Sequence, residues 1–401
     1  MDQAYLVDYV RSPIGNFGGG LSTLRTDDLA AWVIKKLMEK NPDLPPGQID
    51  DVILGCTNQA GEDNRNVARM ALLLAGLPFT VPGETVNRLC ASGMAATINA
   101  GRAIQCGEAH LIIAGGVENM TRGPWVISKT SKAFGTDAQM HDSSFGWRFV
   151  NPRMKQMYGT DSMGITAENL AAKYRIYREE QDLFACGSQE KAAKAVASGR
   201  MEKEIIPIEI TDPKQNVSLF SRDEFIKPAT SPEGLARLKP AFKPEGTVTA
   251  GNSSGLNDGA AALLVASADA IVQYGLKPLA RIAGSAVVGV EPRIMGIGPV
   301  PATIRVLEKT KLKLDDMDLI EINEAFAVQV LACLRELGLD PGDPRINVNG
   351  GALALGHPLG MTGARILGSA ALDLHLLHKK YALVTMCVGV GQGYAVLLEK
   401  V

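Results

Sequence analysis

Short aliphatic runs alternate along this chain with Ala-rich segments of helical period. The runs carry almost no polar position, which is typical of strands that are buried on both faces. The runs that we predict as strands cover residues 52–54, 111–114, 261–265, 319–322, 382–386 and 395–398. Residues 92–105 and 359–377 are predicted as helices that pack between sheets. This alternation predicts an α/β fold.

The second half of the chain repeats features of the first half at a spacing of 267 residues. Met361 follows Met94 by 267 positions, and each methionine is preceded by Gly. His357 follows Cys90 by the same 267 positions, and each of the two opens a turn of small residues before a predicted helix. A duplicated fold would place a nucleophile and a base at equivalent positions. If the two halves face each other across a pseudo-twofold axis, both side chains meet in one cleft.

The length and composition of the chain are those of a soluble globular enzyme. Its 401 residues give room for roughly two or three domains of ~150 residues each. Its residues are 46% hydrophobic and 21% charged, and its formal net charge is −2 without any block of like charge. Neither a nucleic acid nor a membrane is expected as a partner.

The start of the chain and the cysteines bear on the cellular compartment. The first residues carry an acid where a secretion signal carries basic residues, and no apolar run approaches the ~20 residues of a membrane span. The six cysteines are scattered without any Cys-x-x-Cys pair, which favours free thiols over a disulfide framework. We expect a cytoplasmic protein.

A central segment breaks the alternating pattern. Residues 121–250 contain aromatic, charged and Pro-rich stretches and have no counterpart in the second half. We interpret this segment as an inserted loop or lid domain. The chain then divides into an N-terminal half of residues 1–120 plus 251–270, the insertion, and a C-terminal half of residues 271–401.

Cys90 is the candidate nucleophile. A free thiol has a pKa near ~8.5, so it needs a base or the positive end of a helix to react at neutral pH. The small residues after Cys90 suit a helix N-terminus, whose free N–H groups favour the thiolate, and His357 stands in a Gly-rich turn. A lone cysteine before a helix is usually inert packing. The matching position of His357 in the repeat favours catalysis instead.

Six motifs of the chain, in order, resemble those of the thiolase family. They are Asn-Arg-Leu-Cys-Ala-Ser-Gly at 87–93, Gly-Asn-Ser-Ser-Gly-Leu-Asn-Asp-Gly-Ala at 251–260, Asn-Glu-Ala-Phe at 323–326, Asn-Gly-Gly-Ala at 349–352, Gly-His-Pro at 356–358 and Cys-Val-Gly-Val-Gly-Gln-Gly at 387–393. The resemblance covers essentially the whole chain. It implies an acyltransferase with the thiolase fold, in which two duplicated α/β halves form a five-layered α/β/α/β/α core with an inserted loop domain. It also implies a homodimer or homotetramer.

The resemblance to thiolases assigns roles to five residues. Cys90 would carry the acyl group, and His357 would act as the base. Cys387 would exchange a proton with the α-carbon of acetyl-CoA. The backbone N–H groups of Cys90 and Gly389 would hold the thioester oxygen, since the glycines after Cys387 leave such donors unobstructed. Asn323 would orient a water that forms, with the ring N–H of His357, a second oxyanion hole for the enolate.

Two of these positions admit other interpretations. Asn323 follows a predicted strand, and as an N-cap it would simply begin a helix at Glu324. The glycines from Gly389 to Gly393 follow a strand, as a dinucleotide-binding loop does. That loop requires a following helix and an acidic residue ~20 positions further on, whereas only residues 394–401 remain, and they are predicted as a strand.

The resemblance implies no permanently bound cofactor, with coenzyme A as a co-substrate. The residues at the family's CoA-binding positions are Met163, Lys227, Phe242, Ser254, Leu256, Ala325 and Phe326. Lys227 would be a cation near the nucleotide, and the apolar members would flank the thin pantetheine chain. Ser162 stands where several acetoacetyl-CoA thiolases have His, which argues against a short-chain biosynthetic enzyme. His375 and His378 lack further ligands, so no metal is predicted.

The segment at 143–163 bears on the substrate. Its sequence resembles the β-ketoadipyl-CoA thiolases of aromatic-compound breakdown, which cleave a dicarboxylic acyl chain into succinyl-CoA and acetyl-CoA. A distal carboxylate needs a cation, and Arg148 between aromatic residues is the candidate on chemical grounds. The alternative is that Arg148 ties down a loop or a subunit contact.

Other functions stay open at this stage. A general 3-ketoacyl-CoA thiolase of fatty acid metabolism or an acetyl-CoA C-acetyltransferase would use the same catalytic residues. Ketosynthase-like condensing enzymes share the repeat but typically supply two histidines, whereas the last glycine motif here supplies Cys387. A non-catalytic, lipid-carrying relative is disfavoured because all four catalytic side chains of the thiolase pattern are present.

Overall fold

The computed structural model describes residues 2–211 and 214–401. Its strands are β1 (Ala4–Arg11), β2 (Gly15–Asn16), β3 (Asp51–Gly55), β4 (Gly83–Val86), β5 (Leu111–Asn119), β6 (Trp125–Ile127), β7 (Met140–Asp142), β8 (Ile208–Thr211), β9 (Val217–Phe220), β10 (Asn257–Ser267), β11 (Ala280–Gly289), β12 (Leu319–Ile322), β13 (Tyr381–Val388) and β14 (Gln392–Lys400). Its α-helices are α1 (Thr26–Lys40), α2 (Val67–Leu74), α3 (Ser92–Gln105), α4 (Pro152–Tyr158), α5 (Met163–Tyr174), α6 (Arg178–Ala197), α7 (Pro232–Ala236), α8 (Ala268–Tyr274), α9 (Pro299–Thr310), α10 (Ala327–Leu337), α11 (Ala352–Leu355) and α12 (Leu359–Leu376). Within these described ranges, no helix has the length and apolar character needed to cross a membrane.

The strands form two similar half-sheets that join at one short contact. In the N-terminal half, β3 pairs in parallel with β4 and β5, β5 pairs antiparallel with β10, and β10 pairs antiparallel with β1. In the C-terminal half, β12 pairs in parallel with β13, and β14 and β11 follow as antiparallel neighbours. The half-sheets meet between β1 and β11, where Tyr5 pairs with Arg281 and Leu6 with Ala280. The order β3-β5-β10-β1 recurs as β12-β13-β14-β11, which confirms the predicted duplication.

The predicted strands and central helices are confirmed. Each of the six predicted strands lies within an observed one, and β5 and β10 are buried at every position. The helix predicted at 92–105 is α3, and the helix predicted at 359–377 is α12, which ends one residue earlier. β13 turns directly into the antiparallel strand β14, so the glycines between them are not a dinucleotide-binding loop.

Helices α3 and α12 lie against each other at the centre of the fold. A Cβ atom added to Gly93 would lie 2.6 Å from the carbonyl oxygen of Gly360, and one added to Gly363 would lie 2.4 Å from the backbone nitrogen of Met94. Such distances leave room only for glycine, so the two backbones are in contact. Gly93 and Gly360 are themselves 267 positions apart, which places the pseudo-twofold axis between the two helices. The turns that precede the helices are thereby brought together.

Three large hydrophobic clusters and one small one form the core of the described residues, and the three large ones separate five layers. A central cluster, which includes Met94 and Met361, surrounds α3 and α12. It lies between the half-sheets, because α12 contacts β5 and β10 of one and β13 and β14 of the other. A second cluster lies beneath α1 and α2, and a third lies beneath α9 and α10. This order of layers is the predicted five-layered α/β/α/β/α core.

Residues 121–250 carry two small hairpins and the helices α4 to α7. β6 pairs with β7, and β8 pairs with β9. Helix α5 packs against α10, and α6 packs against both α10 and α11. The segment around β6 and β7 presents large apolar side chains to solvent, namely Trp125, Ile127, Phe134 and Met140. Helices α5 and α6 thus rest on the C-terminal half, while the first hairpin stays uncovered.

Candidate active site

Cys90 lies in a strained turn at the start of α3. Leu89, directly before it, has a left-handed backbone with a φ of 47°, a conformation that costs roughly 1–2 kcal/mol for a residue with a side chain. The Ser92 hydroxyl holds this turn, because it accepts from the N–H of Arg88 at 2.9 Å and donates to the carbonyl of Leu89 at 2.6 Å. The Asn87 side chain accepts from the N–H of Leu89 at 2.9 Å. These hydrogen bonds fix the backbone around the nucleophile.

The Cys90 thiol is protonated at rest. Burial raises its pKa to about 11, although the backbone N–H groups of Gly389 and of Cys90 itself hydrogen-bond the sulfur and favour the thiolate. The residue keeps part of its surface exposed, as a nucleophile must in order to meet a substrate. The start of α3 therefore does not supply a thiolate by itself, contrary to the expectation from its position. Cys90 depends on a base.

His357 is a neutral base with a defined tautomer. Its Nδ1 lies 2.8 Å from Oγ1 of Thr362, and that hydroxyl donates to the carbonyl of Pro358 at 2.7 Å. Because the single hydroxyl proton is used in this way, Nδ1 carries the ring proton and Nε2 keeps its lone pair. Burial, and then the positive charge of Arg365, lower the pKa of His357 to about 3. A neutral imidazole with an unprotonated Nε2 is the form that can accept a thiol proton.

Asn323 lies beside this base. Its Nδ2 is 3.4 Å from Nε2 of His357. Its buried Oδ1 has no hydrogen-bond partner among the residues that the structure describes. Buried amide oxygens are almost always paired, so an open acceptor at this position suits the expected role of Asn323 in orienting a water.

The N-cap interpretation of Asn323 is wrong. Helix α10 begins only at Ala327. The residues before it stay extended because they pair with the loop that precedes β10, where the N–H of Ser254 donates to the carbonyl of Ala325 at 3.0 Å. The N–H of Asn323 is itself bound to the neighbouring strand, at 3.0 Å from the carbonyl of Thr385. The Asn323 side chain is consequently not used as a helix cap.

Cys387 lies at the end of β13 in the same site. The residue is 1% exposed. Burial raises its pKa well above the usual value, and the charge of a Cys90 thiolate raises it further. The two sulfur atoms are within electrostatic reach of each other, and Cys387 is a protonated thiol that can give a proton. The turn that follows brings Gly389 to the nucleophile, because a Cβ added there would lie 3.1 Å from Cδ1 of Leu89 and 3.9 Å from Sδ of Met163.

Six of the predicted CoA-binding residues lie beside this centre. We call them the rim cluster: Met163, Phe242, Ser254, Leu256, Ala325 and Phe326. The ring centroids of Phe242 and Phe326 are 6.2 Å apart, and the edge of one ring faces the other. The Phe242 ring also covers Gly164, where an added Cβ would lie 2.1 Å from it. Since Met163 is next to Gly164 and also near Gly389, the rim cluster borders the turn that contacts Cys90.

Lys227, the seventh predicted CoA-binding residue, lies on the exposed side of the rim cluster. Its Nζ is 5.0 Å from the centre of the Phe225 ring. That ring packs on Gly255, between Ser254 and Leu256. An exposed ammonium at this position suits an anionic ligand such as a phosphate.

Arg148 is linked to the nucleophile turn through two residues. Its guanidinium donates to the carbonyl of Ser143 at 3.3 Å and to Oδ1 of Asn58 at 3.4 Å. The hydroxyl of Thr57, next to Asn58, donates to the carbonyl of Leu89 at 3.1 Å. No ion pair in the described parts of the chain includes Arg148. Arg148 thus ties down a loop by long hydrogen bonds and also keeps a charge that no carboxylate neutralises.

One buried group of residues has the composition of a metal site. Within residues 2–211 and 214–401, the only such group is Cys56, Asp63 and Glu118. The Asp63 carboxylate already accepts the N–H groups of Gln59 and Gly61 and the thiol of Cys56. Glu118 likewise accepts three backbone N–H groups. The oxygens of both carboxylates are thus already used by protein donors, and we assign no metal to them.

Two family profiles match the chain. The profile described as thiolase, N-terminal domain, matches residues 4–269, and the profile described as thiolase, C-terminal domain, matches residues 276–400. The chain belongs to the thiolase family. The predicted family, fold and acyltransferase class are thereby confirmed.

Relatives match this thiolase over its full length. It is 55% identical over 401 residues to a β-ketoadipyl-CoA thiolase of Acinetobacter baylyi, with 100% of both chains covered. It is also 55% identical over 401 residues to the 3-oxoadipyl-CoA/3-oxo-5,6-dehydrosuberyl-CoA thiolase of Escherichia coli, again with 100% of both covered. The crystal structure of human mitochondrial 3-ketoacyl-CoA thiolase in complex with CoA matches with a TM-score of 0.91 and 40% identity, over 100% of this chain and 98% of that one. The Bacillus anthracis acetyl-CoA acetyltransferase matches with a TM-score of 0.93 and 42% identity, over 100% and 99%.

Four buried polar residues of this thiolase site were missed by the sequence analysis. They are Glu118, Asn257, Thr362 and Arg365. Asn257, for example, accepts the backbone N–H of His357 at 2.9 Å. Each of the four lies in an element that is otherwise largely buried and apolar, and that contrast is the signal that could have marked them. The roles of the predicted catalytic and CoA-binding residues stay predictions.

Proposed function

We propose that this thiolase catalyses the CoA-dependent cleavage of β-ketoadipyl-CoA to succinyl-CoA and acetyl-CoA. The relatives at 55% identity support this choice of substrate by their names. The arrangement that supports the catalytic assignment is Cys90, whose thiol has a raised pKa, and His357, whose hydrogen bond to Thr362 leaves Nε2 unprotonated, at two repeat-related helix starts. A thiol that can pass its proton to a neutral imidazole is a resting state from which a covalent acyl-enzyme can form.

The first half-reaction makes the acyl-enzyme. The Cys90 proton passes to Nε2 of His357, and the thiolate attacks the C3 carbonyl carbon of the substrate. The bond between C2 and C3 breaks, so that the succinyl group stays on the Cys90 sulfur as a thioester and the enolate of acetyl-CoA departs. The Cys387 thiol gives its proton to the α-carbon of this enolate, which completes acetyl-CoA.

Two sets of donors stabilise the charges that develop in this half-reaction. The backbone N–H groups of Cys90 and Gly389 hold the oxygen of the carbonyl under attack. The newly protonated Nε2 of His357, with a water oriented by Asn323, holds the enolate oxygen. Fixed donors of this kind typically contribute about 2.7–4 kcal/mol each to the stability of the transition state.

The second half-reaction transfers the acyl group to CoA. A proton first returns from His357 to the Cys387 thiolate, so that both residues regain their resting forms. Nε2 then takes the proton of the incoming CoA thiol, and the CoA sulfur attacks the thioester carbon. The bond to the Cys90 sulfur breaks, succinyl-CoA leaves, and Cys90 recovers its proton from His357. The cycle closes without a permanently bound cofactor.

The CoA moiety lies along the rim cluster in this proposal. The rings of Phe242 and Phe326 flank the pantetheine, and the Ser254 hydroxyl offers a partner to its amide groups. Lys227 faces the phosphates of the nucleotide. Arg148 pairs with the distal carboxylate of the acyl chain, where a planar guanidinium can bind both oxygens.

We infer a homodimer or homotetramer in the cytoplasm. Phe134 is fully exposed and Trp125 is 71% exposed, and clustered apolar surface of this kind supports burial against another copy. The six cysteines form no disulfide among the residues that the structure describes, which suits a reducing compartment. Light scattering after size exclusion tests the assembly, and Phe134→Ser should lower the measured mass if the hairpin is buried between copies.

Intact-protein mass spectrometry tests the acyl-enzyme. The wild type mixed with β-ketoadipyl-CoA in the absence of free CoA should gain the mass of one succinyl group. Cys90→Ser should gain none, because a serine hydroxyl is far less acidic than a thiol and a weakly basic imidazole cannot activate it. Normal acylation of Cys90→Ser would show that the nucleophile is another residue.

A substrate panel tests the acyl chain. The kcat/KM for β-ketoadipyl-CoA should exceed the values for 3-oxohexanoyl-CoA and acetoacetyl-CoA. A preference for 3-oxohexanoyl-CoA would identify a general 3-ketoacyl-CoA thiolase, and a preference for acetoacetyl-CoA would identify an acetyl-CoA C-acetyltransferase. No thiolysis or acylation with any of the three would indicate a carrier of lipids instead of an enzyme.

A further inference from the structure

Glu118 links the two halves of the thiolase through one buried carboxylate. The residue lies near the end of β5 and is 2% exposed. Its Oε1 accepts the N–H of Asn58 at 3.0 Å, and its Oε2 accepts the N–H of Thr57 at 3.0 Å. Oε2 also accepts the N–H of Gly360, in the first turn of α12, at 2.8 Å. Thr57 and Asn58 follow β3 in the N-terminal half, so the carboxylate spans the boundary between the halves.

On the N-terminal side, this link leads to the nucleophile. The Thr57 hydroxyl donates to the carbonyl of Leu89 at 3.1 Å. The Asn87 side chain donates to the carbonyl of Thr57 at 3.0 Å. Leu89 directly precedes Cys90, so the strained turn around the nucleophile is fastened to the backbone that Glu118 holds.

On the C-terminal side, the link leads to the base. Gly360 is three residues after His357, in the first turn of α12, the helix that the His357 turn precedes. A Cβ added to Gly360 would lie 2.4 Å from the carbonyl oxygen of Val117 and 2.8 Å from that of Gly55. The backbone of this turn therefore rests directly on the ends of β5 and β3. A shift of the Glu118 carboxylate would move the turn that carries His357.

The repeat indicates that the fold does not need a carboxylate at this position. Thr385 is the counterpart of Glu118, 267 positions further on, and its hydroxyl donates to the carbonyl of Tyr394 at 2.8 Å within its own half-sheet. The C-terminal half folds with a short neutral side chain there. A buried carboxylate without a cation is costly, and burial raises the pKa of Glu118 to about 7. Three N–H donors and the start of α12 offset part of that cost.

We propose that Glu118 is a positioning residue for thiolysis, because its carboxylate holds the Cys90 turn and the His357 turn at the separation that proton transfer requires. Glu118 does not touch the reacting atoms. The proposal rests on the proposed roles of Cys90 and His357 as nucleophile and base. Proton transfer needs donor and acceptor within hydrogen-bond reach, and a displacement of ~1 Å can lower a rate on the order of 10²-fold.

Glu118→Gln tests this role with little change of shape. The amide has one oxygen in place of two and turns an NH₂ group toward a backbone donor, so at least one of the three backbone N–H groups of Thr57, Asn58 and Gly360 loses its acceptor and is pushed away. We expect kcat and the rate of acyl-enzyme formation to fall at least roughly tenfold. The KM should change by less than about twofold, because the rim cluster is untouched and only the reacting groups move.

Asp63→Asn is the matched control. Asp63 is buried at 4% exposure, and its carboxylate accepts backbone N–H groups from Gln59 and Gly61. All of its partners belong to the N-terminal half. Loss of this carboxylate should leave kcat within about twofold of the wild-type value, because Asp63 is a buried neighbour of Glu118 that, among the described residues, makes no hydrogen bond to the His357 turn.

The pH dependence of Cys90 labelling separates positioning from a merely structural role. The titratable groups that face Glu118 are Cys56, Asp63 and Cys90. The negative charge of Glu118 disfavours the Cys90 thiolate, so Glu118→Gln should move the midpoint of iodoacetamide labelling at Cys90 to lower pH while kcat falls. Glu118→Asp keeps the charge but shortens the reach, and it should lower kcat without this downward shift.

Three results would overturn the proposal. The first is a folded Glu118→Gln protein with the wild-type kcat. The second is an equal loss of kcat in Glu118→Gln and Asp63→Asn. The third is a loss of kcat in Glu118→Gln that disappears when the assay is run well below the melting temperature of the variant. If Glu118→Gln does not fold, Thr57→Val decides, because it removes the hydroxyl that reaches Leu89 and also interacts with Glu118, and an unchanged kcat there overturns the link.

The test is independent of the choice of acyl chain. Each measurement uses a 3-oxoacyl-CoA that the wild type turns over. The comparison of the variants with the wild type is therefore valid even if the natural substrate is not β-ketoadipyl-CoA. A wild type that forms no acyl-enzyme with any 3-oxoacyl-CoA would refute the proposed function itself, and it would do so before any variant is measured.

Discussion

The contact between α3 and α12 makes a single methyl group at Gly93 a sharp test of the site. In Gly93→Ala, the new Cβ would lie 2.6 Å from the carbonyl oxygen of Gly360 and 2.9 Å from the backbone nitrogen of Ala364. Ordinary contact begins near ~3.5 Å, so the helices must separate by roughly 0.9 Å. Both opposing atoms belong to the backbone, so no flexible side chain can move aside instead.

This separation should affect stability and chemistry together. Overpacking of this kind typically lowers the free energy of unfolding by about 1–3 kcal/mol. Cys90 precedes one helix and His357 precedes the other, so a displacement near 1 Å should lower kcat on the order of 10²-fold. The KM should change little, because the rim cluster belongs to other elements.

Thermal melting and steady-state thiolysis well below the melting temperature measure the two effects. Gly187→Ala is the control, since Gly187 lies within α6 and an added Cβ would meet nothing within 4 Å. That change should stabilise the protein by up to ~1 kcal/mol and leave kcat unchanged. A Gly93→Ala protein with the wild-type melting temperature and kcat would refute the backbone contact between α3 and α12.

Three further predictions concern individual side chains. Cys387→Ala should still be acylated by succinyl-CoA but lose on the order of 10²-fold in cleavage, and unchanged turnover would leave Cys387 a core thiol. Arg148→Ala should lower kcat/KM for β-ketoadipyl-CoA far more than for acetoacetyl-CoA, because removing one partner of a charge pair leaves the other unmatched; equal losses would exclude Arg148 as the reader of the carboxylate. The pKa of His357, about 3, lies below its unfolded value near ~6.5, so the stability that it contributes is complete above that pH and is lost as the pH falls toward 3. As the pH is lowered, the urea concentration at the midpoint of unfolding should therefore fall less steeply in His357→Gln than in the wild type. Equal slopes of this midpoint against pH would contradict the prediction.

The strands and the central helices could be predicted because buried elements have a recognisable local pattern of apolar residues in the sequence. Strands covered on both faces must be apolar throughout, as residues 111–114 and 261–265 are. The equivalence of the Cys90 and His357 turns in the repeat could also be predicted, because the duplication marks equivalent positions by a constant spacing. Both predictions use patterns in the sequence alone, and neither requires knowledge of which residues contact each other in the fold.

The remaining features depend on contacts between distant segments. Glu118 and Gly360 are 242 residues apart, and no local pattern shows which carboxylate receives which backbone N–H. Asn323 before an acidic residue looks like a helix cap, but pairing with the loop before β10 keeps this segment extended. The position of Cys90 at a helix start favoured a thiolate, yet burial, which the whole fold creates, outweighs that effect on its pKa.

The place of β14 has a consequence for the synthesis of the protein. This strand is the last element of the chain, yet it lies between β13 and β11 inside the C-terminal half-sheet, and it contributes Tyr394, Val396 and Leu398 to the central cluster. On the ribosome, the inner face of the N-terminal half is complete once β10 has emerged, but its cover, α12 and the second half-sheet, comes roughly a hundred residues later. During that interval the uncovered apolar face of the nascent chain is prone to aggregation, and a chaperone would bind this face. A chain that stops just before β14 should be recovered as an insoluble product rather than as a slightly shorter enzyme.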